Sequence, residues 1–169
     1  SSDGQLIGQF GEQKRIPASY EDLPQSFIGA LLAAEDDGFF EHSGIDFLGL
    51  ARALSELVAT GSKQSGGSTI TMQVARNFFL TLDQTFIRKF TEILLALEIE
   101  QRLSKEEILE LYVNRVFLGH RSYGFETAAQ TYYGRSLSEL SVAEHAMLAG
   151  VPQAPSRNNP LSNPKRSEI

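Results

Sequence analysis

Apolar residues at helical spacing dominate the chain from Pro24 onward, and this pattern limits the fold more than any other feature of the sequence. The apolar run from Phe27 to Ala34 predicts a buried helix, and Pro24 is acceptable in its first turn. Further helices are predicted over 47–59, from Ser68 or Thr69 to Asn77, and over 84–102, 108–115, 124–133 and 141–149. We therefore predict a mainly α domain, with one short strand at 5–10 at most.

Helix-start signals support these boundaries. Asp46 is a good N-cap for the helix over 47–59. Ser104 with Glu107, and Ser141 with Glu144, have the spacing of capping boxes. The tail from Pro152 contains four prolines and should be irregular.

Three acids, Glu35, Asp36 and Asp37, follow the first predicted helix directly. A carboxylate in the last turn of a helix faces the negative end of the macrodipole, at a cost of roughly 0.3–1 kcal/mol. A local conflict of this kind in an otherwise consistent sequence indicates a functional site.

Composition excludes several classes of function. The chain has 169 residues, with 15 Lys and Arg against 21 Asp and Glu, and the net charge of −6 argues against non-specific binding of nucleic acid. The absence of cysteine excludes disulfides and thiolate metal sites. No apolar run approaches the roughly 20 residues of a membrane span, and no signal-peptide pattern opens the chain. We expect a cytosolic, processed or excised domain.

Other motifs have an ordinary interpretation beside a functional one. Arg88 and Glu92 have the spacing of a surface ion pair on a helix, or Glu92 is a second functional acid. The segment over 66–71 is a loop with a helix cap, or an anion site without the ending of a nucleotide P-loop. The Phe78-Phe79-Leu80 run is more typical of a core than of membrane contact, and the three scattered histidines are more typical of structural roles.

The order of four motifs is more specific than any one of them. The first is Glu35-Asp36-x-x-Phe39-x-x-His42-x-Gly44, and the second runs from Gly67 to Gln73. The third is Arg88-Lys89-x-x-Glu92, and the fourth runs from Lys105 to Asn114. Their order and spacing resemble the peptidoglycan glycosyltransferases, glycosyltransferase family 51, and most closely the glycosyltransferase module of bifunctional class A penicillin-binding proteins.

The resemblance implies a lysozyme-like helical fold with a head and a smaller membrane-facing jaw. It assigns 1–15 to a lead-in and 16–169 to the glycosyltransferase domain. The implied substrate is lipid II, polymerised into β-1,4-linked glycan with inversion and release of undecaprenyl diphosphate. The implied location is the periplasmic face of the cytoplasmic membrane, with the anchor absent from this chain and a transpeptidase domain in the parent protein. Moenomycin-type inhibitors are implied ligands.

The resemblance also implies roles for individual residues. Glu35 would be the general base, and Glu92 would assist at the donor diphosphate, with a divalent cation, Mg²⁺ or Mn²⁺, as a candidate cofactor. The residues implied to bind substrate are Asp36, Phe39, His42, Gly67, Ser68, Thr69, Gln73, Arg76, Asn77, Arg88, Lys89, Lys105 and Asn114.

The chain departs from the family pattern in two places. Met72 stands where the family usually has the first of two glutamines, and the fifth motif is expected beyond Ile169. Two other functions therefore stay open. One is a lysozyme-like hydrolase or lytic transglycosylase that uses Glu35 as an acid. The other is a helical scaffold that binds lipid or a partner without catalysis.

Overall fold

The computed structural model describes residues 15–61, 67–79 and 86–155. Within these ranges the chain forms seven α-helices: α1 (Gln25–Glu35), α2 (Phe47–Thr60), α3 (Ile70–Phe79), α4 (Phe86–Arg102), α5 (Lys105–Arg115), α6 (Phe125–Tyr133) and α7 (Val142–Gly150). Short 3-10 turns occur at Tyr20–Asp22 and Leu137–Glu139. The described ranges hold no strand, only a single antiparallel bridge between Phe117 and Tyr123. The mainly α prediction is confirmed, and the strand predicted at 5–10 lies outside the described residues.

The predicted helix caps are confirmed. Asp46 Oδ1 accepts a hydrogen bond from Gly49 N at 2.9 Å, and Thr69 Oγ1 accepts one from Met72 N at 3.2 Å. Both predicted capping boxes are present, at the starts of α5 and α7. Each bond satisfies a backbone N–H that the first turn of a helix leaves without an intrahelical partner.

The core forms where α1 packs against α7 and where α3 packs against both α4 and α5. Phe27 of α1 and Phe125 of α6 are fully buried and meet edge to face, with ring centroids 4.8 Å apart. Tyr112 of α5 is also fully buried in this cluster. This packing fixes the carboxyl end of α1, which carries the acids.

Large apolar side chains remain exposed on several of the described helices, most of them on α2, α3 and α4. The core interpretation of the Phe78-Phe79-Leu80 run is wrong for its two phenylalanines, which are 40% and 63% exposed, while Leu80 lies outside the described residues. Exposed apolar side chains also lie on α2 and along one face of α4, at Phe47, Leu48, Val58, Ile87, Phe90 and Leu94. None of the described helices has the length and apolarity to cross a membrane.

The segment before α1 is tied to α5 and α6 by side chains that bond its backbone. Asn114 Oδ1 accepts from Ala18 N at 2.9 Å, and its Nδ2 donates to Ala18 O at 2.8 Å. Glu110 accepts from Tyr20 N and Thr127 accepts from Ile16 N, each at 2.8 Å. Asn114 therefore acts as a clamp on the lead-in to the first helix.

We predict that Asn114→Ala lowers the free energy of unfolding by about 2 kcal/mol, because it removes two half-buried hydrogen bonds to the backbone of Ala18. Urea unfolding followed by circular dichroism measures this change. Gln130→Ala is the matched control, since Gln130 is an exposed helical amide, and it should change stability by less than about 0.5 kcal/mol. Equal effects of the two substitutions would contradict the clamp.

Candidate active site

Glu35 is the last residue of α1, and its side chain is half-buried. One carboxylate oxygen, Oε2, accepts a hydrogen bond from Gln73 Nε2 of α3 at 2.8 Å. Burial raises the pKa of Glu35 above its ordinary value of 4.5. The Gln73 bond and the charge of Arg76 lower this pKa, and the charge of Asp36 raises it. Glu35 is thus a carboxylate that retains its proton more readily than an exposed one.

Asp36 follows Glu35 directly but is turned into the protein, where it is buried. Its Oδ2 accepts from the backbone N–H of Ile70, at the start of α3, at 2.9 Å. Its Oδ1 lies 2.9 Å from His42 Nε2. His42 Nδ1 accepts from Gly44 N at 3.1 Å, so the ring proton is on Nε2, which donates to Asp36. Asp36 and His42 thus fix the acidic segment against α3.

Phe39 and Lys105 support the same segment from behind. The Phe39 ring is fully buried, and the Lys105 ammonium lies 4.5 Å from its centroid. Lys105 Nζ also donates to His42 O and to Glu100 Oε1, each at 2.7 Å. These side chains hold the backbone that carries Glu35 and do not offer a free surface to a ligand.

Glu92 is a buried carboxylate, only 1% exposed, so the surface-pair interpretation of Arg88 and Glu92 is wrong. It is ion-paired with Arg88 and lies 3.1 Å from Lys89 Nζ. Lys89 Nζ also donates to Ser68 Oγ at 2.7 Å. Because removal of one partner leaves a buried charge without compensation, these groups depend on one another.

A cavity of about 700 Å³ brings the first two motifs together. Its wall includes Glu35, Gln73 and Arg76, with the Gly67–Thr69 stretch beside them. Glu92, Arg88 and Lys89 are not in this wall, but the Lys89–Ser68 bond connects them to it. An acid and cations therefore border one space that is large enough for a sugar-sized ligand.

A family model described as Transglycosylase matches residues 3–169 of the chain. The chain belongs to the transglycosylase family.

Named relatives support this assignment. The chain is 59% identical over 167 residues to "Penicillin-binding protein 1A" of Pseudomonas aeruginosa, covering 99% of this chain and 20% of that protein. It also matches the crystal structure of Penicillin-Binding Protein 1A from Haemophilus influenzae, with a TM-score of 0.52 and 36% identity over 98% of this chain and 15% of that one. The chain thus spans about a fifth of the length of the curated relatives it matches.

The structure brings only some of the predicted site residues of this transglycosylase chain together. The cavity wall holds Glu35, Asp36, Gly67, Ser68, Thr69, Gln73 and Arg76. Phe39, His42 and Lys105 lie behind it, and Arg88, Lys89 and Glu92 lie beside it. Asn77 is half-buried near the end of α3, and Asn114 is engaged by Ala18. Met72 is buried, so this departure from the family pattern faces the core while Gln73 reaches Glu35.

Sequence reasoning missed several residues of the wall. Asp46 was predicted only as a helix cap and Arg52 was not predicted as a site residue, yet both line the cavity. Pro152 and Gln153 also line it, and Gln153 Nε2 donates to Ala34 O at 2.9 Å. The available sequence signal for Arg52 was a cation in an otherwise largely apolar helix that directly follows the acidic segment. Nothing in the sequence placed 152–153 near α1.

The residues around Glu92 do not fit a divalent cation. Two cationic side chains already pair with its carboxylate. The described part of the chain also contains no group of three or more His, Asp or Glu side chains suited to hold a metal. We therefore derive no chemical step through a metal ion.

We predict that Glu35→Gln makes the protein more stable at neutral and alkaline pH. The folded-state pKa is raised, so the stability that protonated Glu35 contributes is complete below 4.5 and is lost as pH rises through the folded pKa. Glutamine stays neutral and can still accept from Gln73. Urea unfolding at about pH 4 and about pH 8 measures the difference, which should appear only at the higher pH.

Glu41→Gln is the control for this comparison, since Glu41 is exposed in the same acidic segment. The gain in stability at the higher pH should be larger for Glu35→Gln than for Glu41→Gln. A Glu35→Gln protein that is less stable than the parent at the higher pH would contradict the prediction.

Proposed function

We propose that this chain is a peptidoglycan glycosyltransferase that polymerises lipid II into β-1,4-linked glycan, with inversion and release of undecaprenyl diphosphate. The observation that carries the proposal is Glu35, held by Gln73 on the wall of a cavity that also contains Arg76, in a chain of the transglycosylase family. The similarity to penicillin-binding proteins 1A supports the choice of a cell-wall substrate.

Glu35 acts as the general base in this proposal. The 4-hydroxyl of the acceptor sugar attacks the anomeric carbon of the donor, and its proton passes to the Glu35 carboxylate. A base is most effective when its pKa approaches the working pH, and burial moves the pKa of Glu35 upward in that direction. Gln73 orients the carboxylate without adding a charge that would weaken it as a base.

Cations stabilise the leaving diphosphate. Arg52 and Arg76 line the cavity, and an arginine guanidinium suits the oxygens of a phosphate. Lys89 reaches the wall through Ser68. We assign to buried Glu92 the role of holding Arg88 and Lys89 in place for the donor, in agreement with its two ion pairs.

The cations favour the transferase over a hydrolase that cuts between sugars. A glycan leaving group needs a proton from an acid and no phosphate-binding cations.

The parent protein is proposed to be longer than this chain, since the relatives are about five times its length. We propose that it carries a transpeptidase domain and acts on the periplasmic face of the cytoplasmic membrane. Moenomycin-type inhibitors would bind the same cavity, and no nucleic acid is a partner.

Glu35→Gln should reduce lipid II polymerisation by a factor of at least about 10², the usual range for loss of a general base. Gel analysis of labelled glycan measures the product, and Glu41→Gln should retain activity. Retained polymerisation by folded Glu35→Gln protein would refute the proposed base. Release of soluble fragments from purified sacculi would instead indicate a hydrolase. Binding of lipid II by the unsubstituted chain without turnover would indicate a scaffold.

We also propose that the exposed apolar side chains of α2 and α4 contact the bilayer that holds the lipid substrate. Leu48 on α2 and Ile87 on α4 are 85% and 80% exposed, which is unusual for large apolar side chains outside a contact surface. The exposed face of α4 continues through Phe90 and Leu94, at helical spacing.

Replacing Leu48 and Ile87 together by Asp should reduce binding to liposomes about tenfold or more, because two apolar groups are replaced by charges. Vesicle co-sedimentation measures this binding. Val142→Asp is the matched control, since Val142 is an exposed apolar residue on α7. Equal binding by the double variant and the control would count against this surface.

A further inference from the structure

Gln153 lies in a tight turn that follows α7, and the proposed mechanism does not use it. Ala154 N donates to Val151 O at 3.0 Å, so Pro152 and Gln153 are the two central residues of the turn. The ring of Pro152 restricts its backbone φ, and Val151 is fully buried. Because α7 packs against α1, the turn holds Gln153 in a defined place beside the end of α1.

One hydrogen bond orients the side chain of Gln153. Its Nε2 donates to Ala34 O at 2.9 Å, and this carbonyl belongs to the last turn of α1, where carbonyls lack an intrahelical partner. A side-chain amide also has a second N–H and an oxygen with two lone pairs. Gln153 is exposed and lies in the cavity wall, so these groups are accessible to a ligand. Their orientation is fixed before the ligand arrives, which lowers the entropic cost of binding.

The wall next to this amide is made of small apolar residues. Ala34, which accepts from Gln153, lines the cavity together with Ala33 and Pro152. A ligand group that suits this part of the wall combines a hydrogen-bond donor with a small apolar part. An acetamido group has both, an N–H and a methyl group. A sugar hydroxyl has a donor but no apolar part to cover the alanine and proline surface.

We propose that Gln153 is a specificity-determining residue that binds an acetamido group of the substrate. Its Oε1 accepts from the N–H of that group, and the methyl group packs on Ala33 and Pro152. The inference rests on the proposed function, because both sugars of lipid II carry an acetamido group. Glu35 directly follows Ala34, so the sugar that Gln153 binds is the acceptor, whose hydroxyl Glu35 deprotonates.

Two soluble sugars test this contact without the lipid and without turnover. Chitotetraose and cellotetraose are both β-1,4-linked and differ in having an acetamido group or a hydroxyl at the 2-position of each sugar. NMR titration of the complete chain measures the two dissociation constants. The unsubstituted chain should bind chitotetraose about tenfold more tightly, the size expected for one neutral hydrogen bond and a partly buried methyl group.

Gln153→Met keeps the length of the side chain and removes its hydrogen-bonding groups, so the preference for chitotetraose should fall to about twofold. Gln153→Lys separates the two functions of the amide, because lysine still has a donor for Ala34 O but has no acceptor. The preference should fall equally in this variant, which also provides the test if Gln153→Met does not fold. Gln130→Met is the matched control, since Gln130 is an exposed amide of α6 outside the cavity wall, and it should keep the full preference.

The outcomes separate this inference from the proposed function. Full preference for chitotetraose in Gln153→Met or Gln153→Lys would overturn the inference, whatever the activity. Equal binding of the two sugars by the unsubstituted chain, or no binding of chitotetraose, would also overturn it, even if lipid II is polymerised. Loss of the preference in both variants, together with full activity of Glu35→Gln, would uphold the role of Gln153 and refute the proposed base.

Discussion

The bond between the Asp36 carboxylate and the backbone N–H of Ile70 is the interaction on which the rest of the site depends. It joins the carboxyl end of α1, where the helix dipole is negative, to the start of α3, where it is positive. The start of α3 therefore stabilises the negative charge of Asp36, which is unfavourable at the end of α1. Gln73 and Arg76 lie one to two turns further along α3, so the same bond places them against Glu35.

A closed set of contacts keeps this junction rigid. Asp36 accepts from His42, and the backbone carbonyl of His42 accepts from Lys105. Lys105 bonds Glu100, which also accepts from Thr71 Oγ1 in the first turn of α3 at 2.6 Å. The first turn of α3 is thus fixed at two adjacent residues by contacts from two different elements. Buried polar networks are costly when half-satisfied, and here each of these groups has a partner.

The acidic segment needs a residue without a side chain at Gly44, where its backbone passes close to α4. Its φ is +90°, and a Cβ there would lie 3.1 Å from the backbone oxygen of Ala96. Its carbonyl accepts from Thr69 Oγ1 at 2.7 Å, which ties the segment to the cap of α3. The positive φ and this close approach therefore account for the glycine at the end of the first motif.

Much of the fold could be predicted from local signals in the sequence. Contacts between residues that are far apart in the sequence could not be predicted in this way. The caps at Asp46, Ser104 and Ser141 act within one turn, so the sequence displays them directly. The burial of Glu92 was missed because its pair with Arg88 has the same i,i+4 spacing on a surface helix as on a buried one, and the 1% exposure of Glu92 depends on packing between distant residues. Likewise, apolar content alone did not distinguish the exposed phenylalanines of α3 from core residues.

The same difference between local signals and distant contacts separates the proposed base, Glu35, from the other acids. The sequence presents Glu35, Asp36 and Asp37 as equivalent neighbours, and Glu92 as a fourth candidate. In the folded chain Asp36 is occupied by a helix terminus and His42, and Glu92 is paired with two cations, so both carboxylates are already engaged by other groups of the protein. Asp37 is exposed to solvent. Glu35 alone among these four combines partial burial, a neutral orienting amide and a place on the cavity wall, and burial raises its pKa in the direction that favours the proposed role of general base.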